Sequence, residues 1–230
     1  MSVRQPQHIG SNIIGCFPSL KTKGVVTFES TIERDLIYFL EYDPTVSHFE
    51  AQPCTLKYEL NGHRKRYTPD FNVCHGSYES LVECKPVSKV PEFAERFDAI
   101  QRLAQWQDKQ FVVVTDQQLR TGYYLKNIQH LTYYARFIPP VRFEDQLVKL
   151  LQLEGTLSIE RIHHVLSMYT LNVVRASVLH LAYHRRVWID LSAKQFNTFT
   201  LVSSLRAASR RELCVRAPMD PWSAPALART

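Results

Sequence analysis

The sequence predicts an α/β domain, with a mixed sheet sandwiched by helices, followed by a smaller unit of three helices and a β-hairpin. Three observations carry this. A helical apolar repeat near residue 30 precedes alternating strand patterns interrupted by Asn61-Gly62 and Gly76-Ser77, dipeptides that favour tight hairpin turns. A second helical repeat leads into the continuous apolar run FVVVTD at 111–116, short enough for a buried strand. Beyond Ile138-Pro139-Pro140 the pattern turns helical, then alternates again in VWIDL and TFTLV.

Composition sets the outer limits. With 230 residues and 45% hydrophobic content, the chain can bury one good core and a smaller second one. No apolar run approaches a membrane span and the N-terminus lacks a charged-then-apolar leader, so a soluble, cytoplasmic protein is expected. The cysteines Cys16, Cys54, Cys74, Cys84 and Cys214 are odd in number and never spaced C-x2-C, which argues against a disulfide framework and a zinc site. A net charge of +6 and a pI near 9.1 favour an anionic partner,.

Taken in order, residues 1 to about 23 are polar and irregular, and Lys21 and Lys23 could meet phosphates or keep the arm soluble. In ESTIERDLIYFLEYDP, Ser30 and Glu33 match a capping box and Ile32, Leu36, Phe39 and Leu40 recur at helical spacing,. Three strands in a meander are expected next, through AQPCTLKYELNGHRKRYTPDF and LVECKP. A type II′ turn at Gly76-Ser77 fixes the last register: His75 faces Tyr78, Cys74 Glu79, Val73 Ser80, Asn72 Leu81, Phe71 Val82, and Asp70 faces Glu83,. Alternation puts Lys85 on the Glu83 face and turns Val82 and Cys84 into the core.

Two adjacent carboxylates repel unless a cation sits between them, and a hard divalent ion such as magnesium is a common solution. A neighbouring lysine can orient or help deprotonate a water, which suits metal-assisted phosphodiester hydrolysis. The plainer alternative is a solvated strand with an ordinary Glu83–Lys85 surface pair.

Further along, Phe93, Phe97, Ile100 and Leu103 share one face of a helix in PEFAERFDAIQRLAQWQDK,. Another helical stretch spans QQLRTGYYLKNIQHLTYYARF. The expected divisions are 1–138, 139–206 and a Pro-, Ala- and Arg-rich tail at 207–230,. Within 139–206, helices are expected in FEDQLVKLLQLEG, SIERIHHVLS and TLNVVRASVLHLAYHR, with Ser158 and Thr170 as N-caps,. Three helices plus a hairpin is the winged-helix layout, a helix-turn-helix relative. Its third helix ends in the basic pair Arg185-Arg186 but offers few other base-reading side chains, so protein docking is weighed ahead of base reading.

The ordered runs GCFPSLKTKGVVTFESTIERD, EAQPCTLKY, RKRYTPDF and LVECKP resemble the TnsA family of transposon-end endonucleases across nearly the whole N-terminal domain. That resemblance implies a restriction-endonuclease-like fold of the PD-(D/E)xK nuclease group. It makes Asp70 the central metal ligand, Glu83 the second and Lys85 the catalytic lysine. The helical acid falls on Glu33, with Glu29 one turn earlier as a competitor. It implies two magnesium ions, one held by Asp70, Glu83 and the Cys84 carbonyl, the other by Asp70 and Glu33; manganese would satisfy the same oxygens.

Gln52 is then a support for the site or for DNA, and Arg66 joins Lys21, Lys23, Arg185 and Arg186 as DNA contacts. The implied activity is cleavage of the non-transferred strand at the 5′ side of transposon ends, in the bacterial cytoplasm at the nucleoid, beside a DDE transposase (TnsB) and an AAA+ regulator (TnsC). The alternatives are a stand-alone restriction or repair nuclease of the same fold and a non-enzymatic winged-helix adaptor.

Overall fold

The computed structural model describes residues 13–206, which form two compact units that meet between Arg120 and Thr121. The 207–230 tail lies outside the described residues. No helix among those described is long and apolar enough to cross a membrane.

In the first unit, β1 (Gly15–Pro18) and β2 (Val25–Phe28) form a small antiparallel ribbon. Helix α1 (Thr31–Tyr42) starts at Ser30, whose hydroxyl accepts from the Glu33 N–H at 3.1 Å. Its apolar stripe buries Leu36, Ile37 and Leu40 completely. The ammonium of Lys21 closes the far end, donating to the carbonyls of Leu40 (2.7 Å) and Asp43. That position neutralises the negative pole of the helix, so this lysine serves the fold as a helix cap.

Five strands follow where a meander of three is expected. They are β3 (Val46–Ala51), β4 (Leu56–Leu60), β5 (His63–Tyr67), β6 (Phe71–His75) and β7 (Tyr78–Lys85). The 3-10 turn Val87–Phe93 and helix α2 (Ala94–Gln105) then lead to β8 (Lys109–Thr115). The main sheet has the order β3-β6-β7-β8, antiparallel except for the parallel β7–β8 pair. Strands β4 and β5 form a separate antiparallel hairpin. Its turn, Asn61-Gly62, has φ of 55° and 72°, the left-handed pair that a type I′ turn needs.

The five expected pairs from His75–Tyr78 to Phe71–Val82 are present, although Gly76 lacks the positive φ of a type II′ turn. Register follows instead from the buried alternation of Phe71, Val73 and His75, since a one-residue slip would turn that set to the opposite face. On β7, Ser80 through Cys84 are all buried, as expected for a strand covered on both faces. One cover is the β4–β5 hairpin together with α2, through Leu56, Tyr58, Tyr67, Leu81 and Ile100. The short helix α3 (Asp116–Arg120) ends the unit, and its Arg120 pairs with the buried Asp35 of α1 at 2.7 Å.

The second unit begins with α4 (Tyr124–Tyr133), so the stretch expected as one helix is split at Gly122, where φ is +69°. Helices α5 (Phe143–Glu154), α6 (Ile159–Val165) and α7 (Leu171–Tyr183) follow. Ser158 and Thr170 cap the last two through their hydroxyls. The short strands β9 (Leu157–Ser158), β10 (Val187–Trp188) and β11 (Leu201–Ser204) pair antiparallel in the order β10-β11-β9.

Helix α4 belongs here and not with the preceding sheet, which moves the boundary ahead of the expected 138. The buried Asn127 of α4 donates to the carbonyls of Leu191 and Lys194 and accepts from the Phe196 N–H. The ring nitrogens of His180 and His184 lie 3.1 and 2.9 Å from the carbonyl oxygens of Tyr134 and Ala135, just past the end of α4.

Candidate active site

Strand β6 begins immediately after Asp70, and β7 ends with Glu83, Cys84 and Lys85. The ladder therefore brings Asp70 to the open end of the hairpin beside the last turn of β7. There the Cys84 N–H donates to Oδ2 of Asp70 at 2.7 Å. Glu83, only 5% exposed, has both oxygens engaged: Lys85 Nζ lies 2.7 Å from Oε1 and the Tyr67 hydroxyl donates to Oε2 at 2.5 Å. The ion pair is thus part-buried and hydrogen-bonded, unlike a surface pair.

Glu33 enters from the first turn of α1. Its Oε2 accepts from the Glu29 N–H at 2.8 Å, one residue further back than the reciprocal bond of a standard capping box. Glu29 in turn accepts from Gln52 Nε2 at 3.0 Å. Gln52 takes a left-handed φ of 47° and donates its own N–H to the Asp70 carbonyl at 2.8 Å. That residue ties α1 to the loop carrying Asp70, a support role for which the sequence offers only the QP step.

The electrostatics confirm that these groups share one field. Burial, then the charges of Glu83 and Glu33, push the Asp70 carboxyl well above its usual value, against the pull of the Cys84 N–H and Lys85. Burial also raises Glu33, with Glu29 and Glu83 adding to it. The Cys84 thiol is driven up by burial and by the same three acids. For Lys85, burial favours the neutral amine, but the charge and hydrogen bond of Glu83, with Asp70, outweigh it and raise the ammonium above its ordinary value. Burial and Glu83 keep Tyr67 firmly protonated.

Asp70, Glu33 and Glu83 offer hard carboxylate oxygens, and burial with mutual charge raises the first two. Such chemistry fits a hard divalent cation. Among the described residues no three His, Cys, Asp or Glu side chains stand together as a ready cage. The reason is visible in the bonds above: protein donors hold at least one oxygen of every carboxylate.

The other sequence-derived positions fall elsewhere. Lys23 is exposed and Arg66 is exposed on β5. Arg186 pairs with Glu144 at 2.6 Å, and Arg185 sits in the turn after α7 with φ of 55°. Tyr67, bonded to Glu83, is the position at this candidate site that the sequence reading did not name. Its signal is faint: the inward-facing last residue of β5, three positions before Asp70.

A mixed sheet flanked by helices, with Asp70 brought against the Glu83–Lys85 end of a central hairpin, fits a restriction-endonuclease-like fold. Residues 43–116, within the first unit, match the family model described as TnsA-like endonuclease N terminal. The matched span includes Gln52, Tyr67, Asp70, Glu83 and Lys85, while Glu33 lies ahead of it. No curated protein matches the chain.

Proposed function

We propose that this chain is a magnesium-dependent DNA endonuclease that cuts the non-transferred strand at the 5′ side of transposon ends. It acts beside a DDE transposase of the TnsB kind, which handles the 3′ ends, and an AAA+ regulator of the TnsC kind. The observation that carries the reading is the meeting of Asp70 with the Glu83–Cys84–Lys85 end of β7, inside the span that matches the TnsA-like endonuclease model.

Asp70 and Glu83, with the Cys84 carbonyl, would hold one magnesium ion, and Asp70 with Glu33 a second. Bound there, the metal supplies positive charge that polarises a phosphate and acidifies water. Lys85 is an ammonium at neutral pH because Glu83 and Asp70 keep it protonated. It therefore orients the attacking water and offsets developing phosphate charge, and leaves proton removal to another group. Tyr67 fixes one oxygen of Glu83 and so sets the direction of the other. Gln52 holds the Asp70 backbone and, through Glu29, the start of α1.

The second unit supports a winged-helix reading: helix, strand, two helices and two strands in a β10-β11-β9 sheet. Its α7 would be the reading helix, yet Arg175 hydrogen-bonds Tyr134 and both His180 and His184 face backbone carbonyls. With Arg186 held by Glu144, few side chains are free to read bases. This favours docking on the transposition partners, and end-sequence recognition by the transposase.

The test is cleavage of a strand-labelled transposon-end duplex in magnesium, by wild type and Asp70→Ala, with and without the two partners. Partner-dependent 5′ cutting by wild type alone is the expected result. Cutting of unrelated bare DNA would instead identify a stand-alone nuclease. No cutting under any condition would leave a DNA-binding adaptor.

A further inference from the structure

We propose that the β4–β5 hairpin is a duplex-gripping arm of the nuclease, which binds the phosphates of double-stranded DNA adjoining the cleavage point. This rests on the endonuclease reading above. The cross-strand partners are Lys57 with Arg66 and Glu59 with Arg64. Strand alternation places these four side chains on one face, and all four residues are exposed. The opposite face is used by the fold, through Leu56, Tyr58 and Tyr67. Lys65, also exposed, adds a fourth positive charge to the ribbon.

Lys57 directly opposite Arg66 is a like-charge pair, an arrangement that destabilises a hairpin. Among the described residues, none of Lys57, Arg64, Lys65 and Arg66 forms an ion pair. The molecule elsewhere matches its part-buried cations, as at Lys85 with Glu83 and Lys109 with Glu79. Unmatched cations gathered around an open recess of about 540 Å³, lined by this same ribbon, suit a polyanion that arrives from outside. Arg and Lys in such an array serve phosphates without reading sequence.

Position selects the polyanion. Strand β5 runs from Arg64 and Arg66 into Tyr67, whose hydroxyl holds Glu83. Arg66 precedes Asp70 by four residues and Arg64 by six, so their Cα atoms lie at most about 14 and 21 Å from that of Asp70. Both spans are shorter than one turn of B-DNA, about 34 Å. A duplex whose scissile phosphate meets Asp70 and Glu83 thus has further phosphates within reach of Arg66, Arg64 and Lys57.

The experiment measures binding of the full chain to a 5′-fluorescein-labelled duplex of about 30 base pairs, in EDTA, across a salt series from about 50 to 200 mM, where phosphate contacts dominate affinity. Each phosphate contact contributes about 0.9 to the slope of log K against log salt. The triple variant Lys57→Ala/Arg64→Ala/Arg66→Ala should lose about 2.7 from that slope and bind unrelated sequences more weakly to the same degree. Glu59→Lys should steepen the slope by about 0.9. Both variants alter exposed side chains only, so circular dichroism spectra should match wild type, with the triple variant melting no lower and Glu59→Lys, which faces Arg64, at most slightly lower,.

A triple variant with the wild-type slope, or a wild type that does not bind the duplex at all, overturns the arm. If the slopes shift as stated but no strand is ever cut with partners present, the nuclease reading falls and the hairpin stands as a duplex-binding element.

Discussion

Replacing Tyr67 by Phe deletes one oxygen and keeps the ring in place. The ring stays packed against Phe111, 6.2 Å away edge to face, so no cavity opens. What is lost is a 2.5 Å hydrogen bond to a carboxylate that is 5% exposed. Hydrogen bonds to charged groups contribute about 1.5–3 kcal/mol. For a chain of this size about 1 kcal/mol shifts the melting midpoint by roughly 2–4 °C, so Tyr67→Phe should melt about 3–12 °C lower, measured by circular dichroism in EDTA. The same change made in a Glu83→Leu background should cost under about 0.5 kcal/mol, because the acceptor is gone. An unchanged midpoint in the wild-type background, or the full loss persisting in Glu83→Leu, would refute the idea that this bond secures the site.

Three other substitutions probe separate parts of the molecule. Asp70 is held above the ordinary carboxyl value by burial and the charges of Glu83 and Glu33, and Glu33 by burial and the charges of Glu29 and Glu83, so above about pH 4 the folded state binds more protons than the unfolded chain, and metal-free stability falls as pH rises through that window. Asp70→Asn should therefore melt higher than wild type in EDTA, by a margin larger at pH 8 than at pH 5, while losing cleavage; a constant margin would contradict the assignment. Lys21→Met should lower stability by about 1–2 kcal/mol through the lost carbonyl caps and leave the salt slope of DNA binding unchanged. In the second unit, Asn127→Ala removes three bonds to the 191–196 segment, with an expected loss of about 3 kcal/mol in urea unfolding; a loss under about 1 kcal/mol would show that the segment holds itself.

The hairpin of the candidate site was legible because its pattern is local. Phe71, Val73 and His75 alternate with partly exposed neighbours, and that period alone sets the register, even with the wrong turn type. Strand β3 escaped because a bulge between Val46 and His48 breaks its alternation, leaving Ser47 and His48 both exposed. Tyr67 escaped for a different reason: its partner Glu83 lies sixteen residues away, and strand pattern says nothing about contacts between separate sheets. The cap formed by Lys21 left no signal because its partners are backbone carbonyls, which every sequence contains. Likewise the unit boundary depends on what Asn127 and the α7 histidines bond, and a Pro-Pro step cannot reveal that.

Strand β7 is laddered on both edges, to β6 through a two-residue turn and to β8 only after α2 has been traversed. The first ladder is a microsecond event, whereas parallel closure across a helix is the slower kind of step. The β6 ladder ends at Val82, so Glu83 and Lys85 gain their strand partners, Val113 and Thr115, in that later step. During synthesis, a chain that has emerged only as far as Lys85 holds Glu83 on a strand with one free edge. The candidate site is therefore completed late in the folding of its own unit, after residues 109–115 have docked.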